Sequence, residues 1–177
     1  MTAPQTPGPT LATDRLVLRA LNAADAMPIA TLLNDFDIAR MLARVPHPFS
    51  VADSKTFLAH VAASDTSRQR LFVLETRVDG LIGIIGLDPI EGRTELGYWL
   101  GKPFWGRGYM TEAVGAVLKW VGEEWGRRFL VSRHFADNPA SGRVLTKTGF
   151  LYTGEVRQRM SVARGEAVAS RMMVWLA

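Results

Sequence analysis

The chain has 177 residues, of which 47% are hydrophobic and 21% are charged, as is usual for a protein that buries a single core. It has no cysteine, which excludes disulfides, thiolate metal sites and cysteine nucleophiles, so its chemistry depends on oxygen and nitrogen groups. The net charge of +4 is uneven, because residues 1–126 hold 12 basic and 14 acidic side chains and residues 127–177 hold 9 and 3. A basic C-terminal third fits a polyanionic ligand, an acidic partner or simply a solvated surface.

Targeting and partner signals are few. No apolar run approaches the ~20 residues that cross a bilayer, and the first residues lack the basic start and apolar stretch of a secretion signal. We therefore expect a cytoplasmic protein with a flexible tail over residues 1–12 and a single domain over residues 13–177. The basic residues are scattered, so nucleic acid is not an expected partner. The histidines are isolated from one another, so no metal site is predicted.

A strand and two helical segments are predicted in the first part of the domain. Residues 15–21 (RLVLRAL) alternate as in a strand. Asn22 has an aspartate three positions on, a helix-capping pattern, and helical spacing then continues to residue 42 with a break near its middle. Ser50 also has an aspartate three positions on and begins a second helix that runs to about residue 64.

Three strands in the middle of the chain predict an antiparallel meander. Residues 70–77 (RLFVLETR) and 81–87 (LIGIIGL) flank an Asp-Gly pair, which is a strong hairpin signal. Residues 94–100 (TELGYWL) read as the third strand, after a turn at residues 91–93.

The rest of the chain predicts a long helix, a strand, a short helix and two closing strands. Residues 109–125 carry apolar side chains at helical spacing, and residues 128–136 (RFLVSRHFA) resemble a strand. Asn138 before Pro139 supplies a helix cap and the residue best suited to the first helical position. The two closing strands are predicted at residues 150–160 and 170–177.

The segment between the third meander strand and the long helix reads GKPFWGRGYMTEA. Gly106 and Gly108 lie in the turn and at the helix start, where missing side chains let backbone amides approach a ligand. The free N–H groups and dipole of a helix N-terminus favour an anion there. Two glycines before a helix also occur in plain loops, so a phosphate site and an ordinary turn both stay open. Glu112, in the first turn of the helix, is expected to be structural through the helix dipole.

Four segments in order resemble the GNAT superfamily of acyl-coenzyme A dependent N-acetyltransferases, within it the Rim-type branch of ribosomal-protein N-terminal acetyltransferases. The segments are TDRLVLRAL at 13–21, ELGYWL at 95–100, GKPFWGRGYMTEA at 101–113 and ADNPASGRVLTKTGF at 136–150. The resemblance covers about residues 12–177. It implies an α+β fold, a twisted mixed sheet flanked by helices, in which the central parallel strands 94–100 and 128–136 splay apart.

The resemblance also implies that acetyl-coenzyme A (acetyl-CoA) lies in this opening as a co-substrate, with no metal. The pantetheine arm would pair with the backbone of Tyr98, Trp99 and Leu100 as an added strand does. The family's phosphate turn often begins with Gln or Arg three positions before the first glycine, where this chain has Pro103. Lys102 and Arg107 could supply charge instead, or either could simply be solvated. The pyrophosphate would bind at the amides of Gly106, Arg107, Gly108, Tyr109, Met110 and Thr111.

Asn138 and Ser141 form the second pair of residues that the resemblance implies. In the family, an asparagine at this position contacts the pantetheine arm, and the serine three residues later lies near the thioester sulfur, where it can protonate the departing thiolate. Helix capping alone also explains an asparagine before a proline. A serine in a first helical turn needs no special role either.

Transfer to an amine also calls for a base, since an alkylammonium group has a pKa of about 10.4. Glu95 is the candidate, because it lies on the strand that would carry the acetyl group and shares a face with Gly97 and Trp99. A strand carboxylate paired with an arginine is the structural alternative. Weaker candidates for proton transfer are His134, Tyr98 and Tyr109.

The expected activity is direct transfer of the acetyl group from acetyl-CoA to a primary amine, through a ternary complex. The acceptor is a protein N-terminus, as in the Rim-type branch, or a small amine, and it would meet residues 23–64 and a loop at 161–169. The protein is expected to be a monomer or homodimer without a membrane partner. A catalytically inactive acyl-CoA-binding or regulatory module remains the alternative.

Overall fold

One mixed sheet of eight strands runs through the computed structural model, which describes residues 8–177. The strands are β1 (Leu11–Ala12), β2 (Val17–Arg19), β3 (Arg70–Thr76), β4 (Gly80–Ile90), β5 (Arg93–Leu100), β6 (Phe129–Phe135), β7 (Leu151–Ser161) and β8 (Glu166–Leu176). Their order across the sheet is β1-β2-β3-β4-β5-β6-β8-β7. Within the described residues, β5 and β6 are the parallel pair and every other neighbouring pair is antiparallel. The predicted mixed α+β architecture is confirmed.

Helices connect the strands and begin at the caps that the sequence predicts. A 3₁₀ turn at Ala23–Asp25 leads into α1 (Ala26–Leu33), followed by α2 (Phe36–Ala39), α3 (Val51–Ala62), α4 (Tyr109–Glu123) and α5 (Pro139–Lys147). The Asn22 side chain accepts from the Ala24 N–H at 2.9 Å, and the Asp25 carboxylate accepts from the Asn22 N–H at 2.8 Å. Ser50 and Asp53 cap α3 in the same reciprocal way. None of the helices within residues 8–177 is long and apolar enough to span a membrane.

Two apolar clusters fill the two faces of the sheet. On one face α4 packs through buried side chains such as Val114 and Val117 against Leu96 of β5 and Leu130 of β6. On the other face α1 and α3 pack against β3 and β4. Tyr98 and Leu100 join the first cluster and Trp99 joins the second. The alternation predicted along β5 is therefore confirmed.

The parallel strands β5 and β6 separate soon after they meet. They pair only where Glu95 faces Val131 and Leu96 faces Ser132. Beyond this point β6 continues to pair with β8 on its other side, and β5 with β4. The predicted splay is thus confirmed, and it leaves a gap between the carboxyl ends of β5 and β6. Because α4 follows β5 and α5 follows β6, both helix N-termini lie at this gap, the usual ligand position in such sheets.

Two boundaries differ from the sequence expectation. Residues 11 and 12, expected in the tail, form β1 and pair with β2, while residues 1–7 of that tail lie outside the described residues. The loop expected at residues 161–169 is instead mostly strand, because β7 and β8 remain paired until Ser161 faces Glu166. Gly165, at φ +69°, adopts the left-handed conformation that closes this hairpin. The first residues of β8, 166–168, extend past the end of β6 and are exposed or half-buried, so they carry no clear hydrophobic alternation and the sequence pattern underestimated this strand.

Candidate functional site

The turn before α4 has the backbone geometry that its glycines suggest. Gly106 has φ +74° and Gly108, the N-cap of α4, has φ +78°, both in the left-handed region that disfavours other residues. A Cβ on Gly106 would meet nothing within 4 Å, so conformation and not crowding requires the glycine. The Glu112 N–H donates to the Gly108 carbonyl at 3.1 Å as the helix begins, so the N–H groups of residues 109–111 precede the helical ladder. This exposed turn is suited to an anion.

Arg15 fastens the opening segment of the domain to this turn, and local sequence patterns gave no sign of it. Its guanidinium donates to Glu112 at 2.7 Å through Nε and to the Arg107 carbonyl at 2.8 Å. It also lies 4.5 Å from the centroid of the Tyr109 ring. Thr13 donates its hydroxyl to the same carboxylate at 2.6 Å. Arg15 and Glu112 are 97 residues apart in sequence, so no local spacing could pair them.

Glu112 is structural as expected, but mainly as the centre of this clamp. Burial raises the pKa of its carboxyl, yet the hydrogen bonds from Thr13 and Arg15 outweigh burial and hold that pKa below its usual value. The carboxylate therefore stays ionised and keeps the segment around Thr13 and Arg15 against the turn of residues 106–108.

The two cations considered at the turn before α4 have different surroundings. Lys102 forms an exposed ion pair with Asp37, at 2.5 Å between Nζ and Oδ2. Arg107 is exposed, and its backbone carbonyl is the group that Arg15 holds. Arg107 is thus an exposed cation at this turn, whereas Lys102 is already paired with Asp37.

The backbone of β5 presents polar groups to the gap. Ser132 donates its hydroxyl to the Leu96 carbonyl at 2.8 Å, which shows that the Leu96 backbone faces β6. The Gly101 N–H donates toward β4, to Ile82, at 2.8 Å. By the two-residue repeat, the Tyr98 backbone faces the unpaired gap, as predicted for the pantetheine arm, whereas the Trp99 backbone faces β4.

The Leu100 carbonyl already has a hydrogen-bond partner within the protein. The indole N–H of Trp105 donates to its carbonyl at 2.7 Å. Its N–H still points toward the gap by the same repeat. Of the three residues proposed for the pantetheine arm, Tyr98 and Leu100 therefore offer backbone groups there.

Tyr98 and Ser141 meet across the gap. The Tyr98 hydroxyl lies 2.9 Å from the Ser141 Oγ and donates to the Ser141 carbonyl at 3.1 Å. Burial raises the pKa of Tyr98 above its usual value and outweighs the hydrogen bond with Ser141. Tyr98 is therefore a neutral hydroxyl at neutral pH. The Asn138 Oδ1 accepts from the Ser141 N–H at 3.3 Å, so the capping role of Asn138 is present and its amide N–H groups remain for a ligand.

Glu95 is a nearly buried carboxylate between two arginines. It is 9% exposed, accepts from Arg159 at 3.0 Å and lies 3.9 Å from the Nε of Arg133. Its Oε2 has no hydrogen-bond partner among the described residues. This is the arginine-paired alternative considered for Glu95. The carboxylate lies where β5 and β6 still pair, on the face opposite Tyr98, and no hydrogen bond given by the structure joins it to Ser141.

Arg133 and Arg159 also line a cavity of about 220 Å³ on the sheet face of Glu95. The lining carries both positive and negative side chains, since it also includes Arg157, Glu91 and Glu155. Such a lining provides separate positions for an amine and for an anionic group. It does not form the acidic surface that a polycation would favour.

The segments expected to meet the acceptor are brought together by Arg164 in the β7–β8 turn. Its guanidinium donates to both oxygens of Asp137, at 2.7 and 3.1 Å, and to the Arg40 carbonyl at 2.7 Å. The hydrogen bond from Arg164 holds the pKa of Asp137 below its usual value, and Arg40 contributes to this effect. Because Asp137 precedes Asn138, this contact connects the end of α2, the β7–β8 turn and the start of α5.

The weaker candidates are also located. His134 is buried on β6, with its Nε2 2.9 Å from the Tyr152 hydroxyl. Tyr109 packs under the guanidinium of Arg15. Within residues 8–177, no group of three or more His, Asp or Glu side chains could hold a metal ion.

The chain is similar to known proteins in sequence and in fold. The family described as Acetyltransferase (GNAT) domain matches residues 15–151. The chain is 29% identical over 157 residues to the uncharacterized N-acetyltransferase YoaA of Bacillus subtilis (strain 168), covering 86% of this chain and 88% of the relative. It is 28% identical over 107 residues to the ribosomal-protein-serine acetyltransferase of Escherichia coli (strain K12), covering 59% of each. RimL, a ribosomal L7/L12 alpha-N-protein acetyltransferase solved with coenzyme A, has the same fold, with a TM-score of 0.83 at 18% identity over 95% of this chain and 98% of RimL.

Proposed function

The chain belongs to the acetyltransferase (GNAT) domain family and is an acetyl-CoA-dependent N-acetyltransferase, and from this premise we propose that it transfers the acetyl group directly to a primary amine. The reaction would take place in a ternary complex in the cytoplasm. The observation that carries the proposal is the gap between β5 and β6, with the phosphate turn beside it and the Tyr98–Ser141 pair across it. The absence of cysteine from the chain supports direct transfer, because no thiol is available for an acetyl-enzyme intermediate.

The coenzyme would lie along the gap. Its pyrophosphate is proposed to bind the amides of residues 106–111, where the left-handed glycines leave the backbone open. Its pantetheine arm would pair with the backbone of Tyr98 and Leu100 and reach the amide of Asn138. The thioester would then lie beside the Ser141 hydroxyl.

Transfer requires one bond to form and one to break. The amine nitrogen attacks the thioester carbonyl carbon, and the C–S bond then breaks to release a thiolate. Ser141 is proposed to give its proton to that thiolate, and Tyr98, bonded to the serine oxygen, stabilises the serine as it does so. The serine oxygen then takes a proton back from solvent, so the proton lost by the amine balances the one given to sulfur. Glu95 Oε2, which has no hydrogen-bond partner among residues 8–177, is proposed to accept the amine proton directly or through water.

The acceptor is proposed to be a protein N-terminus. The relative from Escherichia coli is named as a ribosomal-protein-serine acetyltransferase. The cavity beside Glu95 mixes arginines and glutamates, which suits a peptide with an amine near polar or acidic groups better than a polyamine. A small amine carrying an anionic group is the alternative acceptor with the same chemistry.

Thiol release from acetyl-CoA, measured across peptides with free N-termini and small amines, tests the proposal. Ser141→Ala is expected to lower kcat about 100-fold, the range for loss of a positioned proton donor, with the coenzyme Kd nearly unchanged. Glu95→Gln is also expected to lower kcat. Ser67→Ala is the matched control, because the Ser67 hydroxyl bonds only to the exposed Asp65.

The inactive-module alternative makes a different prediction. Tight coenzyme binding with no acceptor that raises thiol release would support it and overturn the proposed transfer. Turnover that Ser141→Ala leaves unchanged would keep the enzyme but remove Ser141 from the mechanism.

A further inference from the structure

Gly142 is the residue after Ser141, and its neighbours leave no room for a side chain. A Cβ on it would clash with the Tyr152 hydroxyl and would lie 2.8 Å from the Nε2 of His134. Ordinary contacts of this kind are 3.4 Å or longer. The glycine is therefore required by space, since its conformation is that of a normal helix.

His134 and Tyr152 are themselves fixed by hydrogen bonds. The His134 Nδ1 lies 2.8 Å from the Phe135 carbonyl, which can only accept, so we assign the ring proton to Nδ1. Nε2 then accepts from the Tyr152 hydroxyl at 2.9 Å. The two rings meet edge to face, with centroids 5.8 Å apart. The histidine is buried and the tyrosine is half exposed on the edge strand β7.

The first turn of α5 is thus held from two sides. On one side the Tyr98 hydroxyl of β5 bonds to the Ser141 carbonyl and Oγ. On the other side the His134 imidazole of β6 and the Tyr152 hydroxyl of β7 press against Gly142. Three strands therefore fix one helical turn.

We propose that the His134–Tyr152 pair is a positioning device for Ser141, acting through Gly142. This inference rests on the proposed role of Ser141 in acetyl transfer. The pair does not reach the phosphate turn, which belongs to α4. Its loss should therefore affect the chemical step at the thioester and leave coenzyme binding nearly unchanged.

Tyr152→Phe tests the proposal, because it removes only the hydroxyl from a half-exposed ring. We expect kcat to fall about 5- to 20-fold, in the range by which misplaced catalytic groups slow reactions, with the KM for acetyl-CoA within twofold. Thr153→Val is the matched control, since it removes a hydroxyl from the next residue of β7 without touching α5. An unchanged kcat in Tyr152→Phe would overturn the proposal while leaving the proposed function intact.

A double-mutant cycle separates positioning of Ser141 from a general structural effect. If the pair acts through the serine hydroxyl, Tyr152→Phe should cost almost nothing further in a Ser141→Ala background. Additive losses would overturn the proposal. Gly142→Ala should lower kcat by crowding, and the Gly142→Ala, Tyr152→Phe double variant should recover part of the loss, because the closest contact is removed.

Amide hydrogen exchange gives a readout that does not depend on turnover. Tyr152→Phe should speed exchange in the first turn of α5, residues 139–142, and not in α4. If the wild-type protein acetylated no acceptor, the proposed function would fail, and exchange would still decide whether the pair orders this turn. Unchanged exchange would overturn the positioning role.

Discussion

Single residues set the chemistry at the gap through contacts that their neighbours impose. Gly106 and Gly108 are required by left-handed backbone, whereas Gly142 is required by the space that Tyr152 and His134 occupy. Ser141 is distinguished from an ordinary serine in a first helical turn because its Oγ lies 2.9 Å from the Tyr98 hydroxyl. A glycine or serine therefore has a role here that depends on what lies beside it.

Gly106→Ala distinguishes the conformational role of this glycine from its proposed contact with phosphate. A left-handed alanine costs about 1 kcal/mol of stability, and its methyl group would project into the open space beside the turn. We expect about a tenfold rise in the Kd for coenzyme A, a change of ~1.4 kcal/mol, measured by calorimetry. Gly126→Ala is the control, because Gly126 has φ +68° and equally open surroundings away from the turn. Similar Kd values for both variants would remove the phosphate assignment.

At the scale of elements, segments distant in sequence are fastened around the gap. The clamp of Thr13 and Arg15 on Glu112 holds the opening segment to α4. The contact of Arg164 with Asp137 holds the β7–β8 turn to the start of α5. Each contact holds a segment that lies outside the helices to a helix N-terminus, and both of these N-termini border the proposed coenzyme site.

Glu112→Gln tests whether the first clamp shapes the phosphate turn. Loss of the charge weakens the bonds from Thr13 and Arg15, which should cost about 1–3 kcal/mol of folding stability, the usual range for hydrogen bonds to a charged group. The KM for acetyl-CoA should rise several-fold while kcat stays near the wild-type value. Glu123→Gln, at the exposed end of the same helix, provides the control for charge loss. A normal KM in the destabilised variant would show that the clamp serves stability alone.

At the scale of the whole molecule, the contacts of Glu112 and Asp137 predict how the folding stability depends on pH. The folded pKa values of Glu112 and Asp137 are lowered below their unfolded values. The stability that each carboxylate contributes is therefore present above the ordinary carboxyl pKa of about 4 and is lost as the pH falls through the folded value. Urea unfolding across this range should show stability falling with acid. The fall should be shallower in Asp137→Asn, and an identical slope would contradict the assigned contact.

Much of the fold follows from the sequence because its signals are local. The caps at Asn22 and Ser50, the Asp-Gly hairpin and the glycines of the turn before α4 act over a few residues, and each predicted element is present. Boundaries differed where the pattern was weak, at β1 and at the start of β8. The family and its acetyl-CoA chemistry also follow from ordered motifs in the chain.

The tertiary structure alone decided which side chains meet. Glu95 was a candidate base by its place on β5, but only the folded sheet shows it between Arg133 and Arg159, which come from β6 and β7. The clamp on Glu112 and the pair of His134 with Tyr152 likewise join distant segments that no spacing connects. Sequence by itself determined the elements, the family and the open backbone at Gly106, because backbone preferences are local. Contacts among side chains depend on the sheet order that brings β5, β6 and β7 around the first turn of α5.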